Sequence, residues 1–226
     1  MMTSQYSSAY TTTAATRGAP TRPRVGHARR GAAAAPVVRD LRGRAGRCPR
    51  RLVFAAGDLA VVSGLPGSGK STLIRQAARG RALDSQDTRD RWDARTPSFL
   101  PYTVYRPLVR LAHYARLWRA LRSGEGVVVH DCGTQAWVRR WLAREARRRG
   151  TALHLVLLDV EPEVARQGQR ERGRGVSRPA FARHRRGVGR LIAQVEAGDV
   201  PGGCASAVLL DRDAASALTL LGFGQG

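Results

Sequence analysis

Short apolar runs alternate with amphipathic segments from residue 58 onward. The runs lie at residues 59–63, 82–83, 126–130, 152–158 and 207–210, and an aspartate directly follows each of the last four. Continuous apolar strands separated by helices are typical of a parallel sheet that is covered on both faces. The pattern therefore predicts an α/β fold with a five-stranded parallel sheet.

Helical periodicity fills the intervals between these strands. It predicts a helix that ends near residue 79, then helices over 104–122, 137–149, 162–171 and 179–196, and a short helix near the C-terminus. In the second helix one face collects apolar side chains, at Val104, Leu108, Leu111, Ala115 and Trp118. The four tryptophans, Trp92, Trp118, Trp137 and Trp141, are predicted to be mostly core residues. An alternative position for Trp92 is the wall of a substrate cleft.

The first 51 residues have a different composition. They contain eleven Arg, one acidic residue (Asp40), four Pro and an Ala tract, without a sustained hydrophobic period. Such a segment cannot offset its ordering entropy by burying a core. We therefore expect a disordered basic tail over 1–51 and a folded domain over 52–226. A merely solvated tail and one that contacts nucleic-acid phosphates without sequence preference are both consistent with this composition.

Charge and cysteine content limit the class of protein. The net charge is +22, and 38 of the 39 basic residues are arginine, the exception being Lys70. The abundance of Arg, Ala and Gly is typical of a codon bias, so arginine alone is weak evidence for function. Cys48, Cys132 and Cys204 lack paired spacing, which argues against a disulfide framework or a cysteine zinc site. No run reaches the roughly 18 apolar residues of a membrane helix, and we expect a cytoplasmic protein.

The turn after the first strand matches a phosphate-binding loop. Residues 64–71 fit G-x-x-x-x-G-K-[ST], between a strand and a helix as the motif requires. Glycines let consecutive N–H groups point at phosphate oxygens, and the helix N-terminus adds a positive field. Lys70 is expected to reach the β- and γ-phosphates, and the Ser71 hydroxyl to ligate Mg²⁺. The predicted nucleotide-binding residues are Gly64, Leu65, Pro66, Gly67, Ser68, Gly69, Lys70, Ser71 and Thr72.

A second Mg²⁺ group is predicted downstream. Asp131 directly follows the apolar strand at 126–130, where a carboxylate supports the metal shell of P-loop proteins. Capping of the next turn is the alternative role for this side chain.

With these motifs the sequence resembles P-loop kinases of the polynucleotide kinase and zeta-toxin type, which are often labelled AAA-family ATPases. The resemblance covers roughly residues 58–215 and is carried by GLPGSGKST (64–72), DSQDTR (84–89), GVVVHD (126–131) and RQGQRERGR (166–174). It implies a three-layer P-loop NTPase fold with sheet order 2-3-1-4-5, helices on both faces and a small Arg-rich lid.

The resemblance also implies an acceptor site after the second strand. In this family an Asp there accepts the proton of the acceptor hydroxyl, and an Arg three residues later holds the acceptor. Aligning on Arg89 puts Gln86 at the position of that Asp, and glutamine cannot take a proton. Asp87, or less favourably Asp84, is our candidate base, with helix capping as the alternative role.

The lid implied by the resemblance is rich in arginine. Arg166 and Arg170 lie one helical turn apart, and lid arginines neutralise charge on the transferred phosphoryl group. Arg172 and Arg174 are further candidates, and a solvated helix face is the alternative interpretation.

The sequence therefore predicts a Mg²⁺–ATP-dependent kinase. The acceptor hydroxyl belongs to a polynucleotide 5′-end or to a small molecule, and no membrane partner is expected. The alternative is an AAA-type ATPase or nucleotide-dependent switch with little phosphotransferase activity, which the glutamine at position 86 favours. A basic nucleic-acid-binding protein that only retains the fold is a third hypothesis.

Overall fold

The computed structural model describes residues 37–44, 46–78, 82–83, 88, 91–92, 94–95, 102–131, 136–173 and 175–224. The strands are β1 Val37–Asp40, β2 Arg51–Phe54, β3 Leu59–Gly64, β4 Ala82–Leu83, β5 Val127–His130, β6 Leu153–Leu158, β7 Ser206–Leu210 and β8 Leu220–Phe223. The helices are α1 Lys70–Ala77, α2 Tyr102–Arg122, α3 Ala136–Arg149, α4 Pro162–Arg170, α5 Arg178–Glu196 and α6 Arg212–Ala217.

Six of the strands form one parallel sheet in the order β1-β7-β6-β3-β5-β4. The predicted order of five strands is present as β4-β5-β3-β6-β7, and β1 adds a sixth strand beyond β7. Strands β2 and β8 pair in a separate two-stranded parallel sheet. The predicted α/β fold class is confirmed.

Strand β3 lies at the centre of the core, and all six of its residues are buried. Successive side chains of a strand point to opposite faces. Leu59 and Val61 therefore pack with α2, α3 and α5, whereas Ala60 and Val62 pack with α1 and α6. This alternation explains why the β3 sequence is continuously apolar, and it produces the three predicted layers.

The predicted boundary at residue 51 lies too late in the chain. Val37–Asp40 pair with β7, and Leu41 is only 3% exposed in the core beside α1 and α6. A four-residue edge strand is stabilised by backbone hydrogen bonds to a partner about 170 residues away in the chain, so it leaves no local hydrophobic period. The remainder of the predicted tail, residues 1–36, lies outside the described residues.

An arginine links this early segment to the rest of the domain. Arg42 contacts three carboxylates: Asp40 at 2.7 Å, Asp159 at 2.6 Å and Glu196 at 2.8 Å. The Arg42 guanidinium holds the pKa of the Asp40 carboxyl below its usual value, and in turn the pKa of Arg42 is raised. The segment after β1 is therefore tied to the loop after β6 and to the end of α5.

Two of the tryptophan predictions are wrong. Trp118 is 50% exposed and Trp137 is 51% exposed. Helix α2 packs inward through a different face, with Tyr105, Val109 and Leu117 all buried. The apolar face that the sequence displays on α2 therefore points outward. Among the helices in the described ranges, none is both long and apolar enough to cross a membrane.

Candidate functional site

The Gly-rich loop follows β3 and leads into α1. Gly64, Gly67 and Gly69 all have positive φ, at 157°, 89° and 99°. A Cβ on Gly64 would lie 2.8 Å from the carbonyl oxygen of Leu158 on the neighbouring β6, so the loop leaves the sheet with no room for a side chain there. Left-handed backbone and close approach both require glycine at these positions.

Helix α4 holds the outer side of this loop. The Gln169 Nε2 donates to the Pro66 carbonyl at 3.1 Å, and the Gln169 Oε1 accepts from the Val176 N–H at 2.9 Å. A Cβ on Gly67 would collide with the Ala165 carbonyl, and one on Gly168 would lie 2.6 Å from the Gly67 carbonyl oxygen. Gly168 and Gln169 were not predicted from the sequence, because in this segment only the arginines on either side of them had an expected role.

Lys70 is the first residue of α1, and its side chain folds back into the loop. Its Nζ donates to the carbonyls of Gly64 at 2.8 Å and Leu65 at 2.7 Å, and the residue is 4% exposed. Ser71, in the same first turn, is also buried. The N-cap residue of α1 is Gly69, which has no side chain to cap the helix, so the first N–H groups of α1 face the loop.

Ser68 is a further polar group in the loop. It is 6% exposed, and its Oγ has no hydrogen-bond partner within the described part of the chain. A buried hydroxyl without a partner is costly unless a ligand or water satisfies it.

Asp131 is buried next to the loop strand. Its N–H donates to the Val62 carbonyl at 2.9 Å, two residues before the loop, so the carboxylate lies at the same edge of the sheet. Its Oδ2 accepts from Nη1 of Arg139 at 3.1 Å, and both side chains are 10% exposed or less. Arg139 was missed, although one signal was available: it lies on the apolar face of α3 that Ala143 and Ala146 share.

The predicted lid arginines lie on α4, beside the loop. The guanidinium of Arg166 lies 4.9 Å above the ring of Phe181 and 3.8 Å from Glu163. Arg170 is exposed in the last turn of α4. Neither of them lines the cavity described next, whereas Arg172 does.

A cavity of about 370 Å³ opens beside the loop. Four parts of the chain besides the loop form its walls: α1, the end of β6 with the residues after it, α4 with the turn after it, and α6. The residues at its walls that bear on ligand binding are Gly69, Thr72, Gln76, Gly168, Arg172 and Arg212. The volume falls in the range of small-molecule sites, and the lining mixes polar and apolar groups.

The predicted acceptor site falls mostly outside the described residues, which exclude Asp84, Gln86, Asp87 and Arg89 as well as Cys132 and Arg174. Within that stretch the structure describes Thr88, which is 3% exposed and accepts from Nη1 of Arg116 at 3.4 Å. Within the described ranges, no group of three or more His, Cys, Asp or Glu side chains is arranged to hold a metal ion.

A profile of the AAA domain family matches residues 59–194, which is more than half of the chain. The chain belongs to this family. The matched range contains the Gly-rich loop, Asp131, Arg139 and all of α4. The α6 wall of the cavity, with Arg212, lies beyond the match, so this AAA domain completes its cavity with a part of the chain that the profile does not cover.

Solved structures of two other proteins are similar to this AAA domain. One comes from the PezAT chromosomal toxin–antitoxin system of Streptococcus pneumoniae, with 14% identity and a TM-score of 0.50 over 73% of this chain and 72% of that chain. The other is the tunicamycin resistance protein of Deinococcus radiodurans, with 14% identity and a TM-score of 0.39 over 60% of this chain and 80% of that one. At 14% identity, the similarity to the PezAT structure concerns the fold alone. A comparison with curated protein sequences gives no significant match.

Proposed function

We propose that this AAA domain binds Mg²⁺–ATP and transfers the γ-phosphoryl group to an acceptor hydroxyl. The observation that carries the proposal is the position of Lys70, the one lysine of the chain, buried within the Gly-rich loop at the start of α1. Its Nζ bonds to two loop carbonyls. Phosphate oxygens carry net charge and bind an ammonium group more strongly than neutral carbonyls do, so ATP competes well for this group.

The nucleoside of ATP occupies the 370 Å³ cavity in this proposal. Gly69 and Thr72 connect that cavity directly to the phosphate loop. Gln76 offers an amide to the base or ribose, and Arg172 and Arg212 offer guanidinium groups to the ribose or phosphates. Ser68 Oγ, which is buried, gains a phosphate oxygen as its partner.

Ser71 and Asp131 fit a magnesium ion because both offer oxygen, the ligand atom that Mg²⁺ prefers. Both are buried near the point where β3 enters the loop. Bound there, Mg²⁺ supplies charge neutralisation for the β- and γ-phosphate oxygens. The chain itself orients the nucleotide through the loop and holds the Asp131 carboxylate in place through its hydrogen bond from Arg139.

The transfer step forms a bond between the acceptor oxygen and the γ-phosphorus, breaks the bond from that phosphorus to the β-bridging oxygen, and releases ADP. The proton of the acceptor hydroxyl passes to a carboxylate, for which Asp87 is our first candidate and Asp84 the second. Gln86 and Arg89 hold the acceptor. Arg166 and Arg170 on α4 neutralise charge on the transferred group, a task that suits arginine because its charge is fixed.

The acceptor class follows the resemblance to polynucleotide kinases and zeta-toxins. It is a polynucleotide 5′-hydroxyl or a small hydroxyl compound, and the net charge of +22 favours a polyanion. The glutamine at position 86 favours one alternative: an ATPase or nucleotide-dependent switch in which water is the main acceptor.

Label transfer from γ-labelled ATP separates these functions. The protein is incubated with Mg²⁺ and either a 5′-hydroxyl oligonucleotide or small hydroxyl compounds, and labelled acceptor is measured against free phosphate. Transfer to an acceptor supports the kinase, and hydrolysis that no acceptor changes supports the ATPase. Unaltered transfer in both Asp87→Asn and Asp84→Asn would exclude a carboxylate base at these positions.

The loop assignment has its own control pair. Lys70→Ala should lower the activity by about 100-fold or more, equivalent to ~2.7 kcal/mol of transition-state stabilisation. Arg75→Ala removes a cation from the exposed side of the same helix and should leave activity unchanged. Equal activities of the two variants would refute the assignment of the loop.

A further inference from the structure

Helix α2 carries an apolar stripe on its outer face. We call Val104, Leu108, Leu111 and Trp118 the outer stripe; these residues are 59%, 51%, 67% and 50% exposed. Their spacing of four, three and seven residues keeps them on one side of a helix. The stripe extends over fourteen residue steps, which is ~21 Å of helix. Helix α2 thus has one buried and one exposed apolar face.

A tryptophan on α3 widens this surface. Trp137 is 51% exposed, and its ring lies 5.4 Å from that of Tyr114 on α2. Tyr114 also contacts Trp141, whose ring centre is 6.5 Å away. The two helices therefore present a continuous apolar surface across their junction, and contiguous apolar surface of this kind marks interaction sites.

The border of the surface is strongly cationic. Helix α2 contains five arginines and no acidic residue, and α3 contains six arginines and one acidic residue, Glu145. Seven of these arginines are exposed in the described structure: Arg110, Arg119, Arg122, Arg140, Arg144, Arg147 and Arg148. The guanidinium of Arg122 lies 4.6 Å above the ring of Trp118, within the stripe itself.

We propose that the outer stripe, together with Trp137, docks an acidic amphipathic helix of a partner protein. The apolar face of that helix covers the stripe, and its Asp and Glu residues meet the arginines on both sides. The proposal goes beyond nucleotide binding and uses none of the loop residues.

Charge complementarity selects this occupant. A second copy of the chain would bring the arginines of α2 against those of another α2, with no acidic residue on either helix to compensate. An anionic membrane surface is the alternative occupant for a cationic apolar helix face, and the vesicle measurement described below tests it. A protein partner can place a carboxylate opposite Arg122 at the rim of the interface.

The test uses a designed four-turn helical peptide with Leu at every third or fourth position and Glu elsewhere. Its affinity is measured by fluorescence anisotropy at low and high salt, beside a matched peptide with Lys in place of Glu. We expect the acidic peptide to bind the full chain, to bind more weakly at high salt, and to bind more tightly than its lysine counterpart.

Two substitutions locate the site. Leu111→Gln and Trp118→Gln should each weaken binding by about tenfold or more, as expected for central interface residues. Val53→Gln is the matched control, because Val53 is 48% exposed in the small β2–β8 sheet, away from α2. ATP binding and the melting temperature should be unchanged in all three, and Lys70→Ala should still bind the peptide, which separates this proposal from the proposed function.

Four outcomes would overturn the proposal. Equal affinity for the two peptides and unchanged affinity in Leu111→Gln each remove the basis of the docking site. Binding of anionic phospholipid vesicles but not of the peptide would indicate a membrane surface instead. Self-association in sedimentation that Leu111→Gln abolishes would show that the stripe joins two copies of the chain.

Discussion

Lys70 and Asp131 are both buried ionic side chains, and the fold gives each of them partners. The ammonium group of Lys70 bonds to two carbonyls of its own loop, and the Asp131 carboxylate bonds to Arg139 on α3. Burying a charge without a partner costs several kcal/mol, so these contacts are a condition for placing charge in the interior. They also hold the two groups in position for the proposed nucleotide and metal.

Removal of Arg139 should therefore destabilise the fold. We expect Arg139→Met to lower the free energy of unfolding by ~3–5 kcal/mol, because Asp131 would be left as an unpaired buried carboxylate. Arg140→Met, a neighbouring exposed position, should change it by less than ~0.5 kcal/mol. Urea denaturation measures both, and adding Asp131→Asn to Arg139→Met should recover part of the loss. Equal effects of the two single variants would show that the ion pair contributes little.

Cys204 should be an unreactive thiol at neutral pH. Burial raises the pKa of Cys204 to about 11, and the charge of Arg139 opposes this only partly. Alkylation of Cys204 by iodoacetamide, followed by mass spectrometry, should be much slower at pH 8 in the folded protein than in urea.

The same shift fixes the sign of the pH dependence of stability. The folded protein favours the neutral thiol. The stability that Cys204 contributes to the fold is therefore fully present below its unfolded pKa of 9.0, and it is lost as the pH rises through the folded pKa of about 11. Equal alkylation rates in the folded and unfolded protein at pH 8 would contradict the raised pKa.

Helix α4 packs directly against the Gly-rich loop. The absence of side chains at Gly67 and Gly168 lets the two backbones approach, and Gln169 bridges Pro66 and Val176. Helix α4 is therefore a structural support of the phosphate loop as well as the carrier of Arg166 and Arg170. We therefore expect the loop conformation and the position of these arginines to be coupled through this contact.

Gly168→Ala tests that coupling. The added Cβ would lie 2.6 Å from the Gly67 carbonyl oxygen, so either the loop or α4 must move, and ATP affinity should fall by about tenfold or more. Gly189→Ala is the matched control in α5, where an added Cβ would meet nothing within 4 Å in the described structure outside the backbone of its own helix. That change should leave ATP binding intact and raise helix stability by up to ~1 kcal/mol. Calorimetric titration with ATP measures both, and unchanged affinity in Gly168→Ala would show that the contact does not control the loop.

At the scale of the whole molecule, distant parts of the chain complete the fold around β3. Val37–Asp40 form the edge strand beyond β7, and Leu52 of β2 and Leu221 of β8 pack in the core beside α1 and α6. The cavity likewise depends on α6, near the end of the chain. Residues before and after the matched AAA range thus take part in the fold and in the candidate site.

The ion pairs of Arg42 with Asp40, Asp159 and Glu196 should make the stability of the fold depend on pH in the acid range. The pKa of Asp40 is lowered in the fold, chiefly by its hydrogen bond to Arg42. The stability that this carboxylate contributes is therefore present above its unfolded pKa of 3.8 and is lost as the pH falls through the lower pKa of the folded state. The difference in free energy of unfolding between the wild type and Arg42→Met should therefore shrink from pH 7 to pH 3. Arg39→Met, an exposed position on β1, serves as the control in urea denaturation. A difference that does not change with pH would refute this role for Arg42.

The outer stripe shows why periodicity alone misplaces a surface. Val104, Leu108, Leu111 and Trp118 repeat as a core-facing helix does, but α2 packs through Tyr105, Val109 and Leu117 instead. When a helix has two apolar faces, the sequence does not contain the information about which one meets the sheet. That choice depends on where the neighbouring strands and α3 lie.

The sequence by itself determined the layered α/β fold and the Gly-rich loop with Lys70, through local residue patterns. Its family resemblance added the order of five strands in the sheet. Strand periodicity, left-handed glycines and a helix start are properties of a few adjacent residues, so they can be recognised without a structure. Only the tertiary structure decided the pairing of β1 with β7, the Asp131–Arg139 contact, the support of the loop by Gly168 and Gln169, and the outward face of α2. Each of these joins residues from separate elements, and their contact energies depend on three-dimensional proximity, which a one-dimensional pattern does not encode.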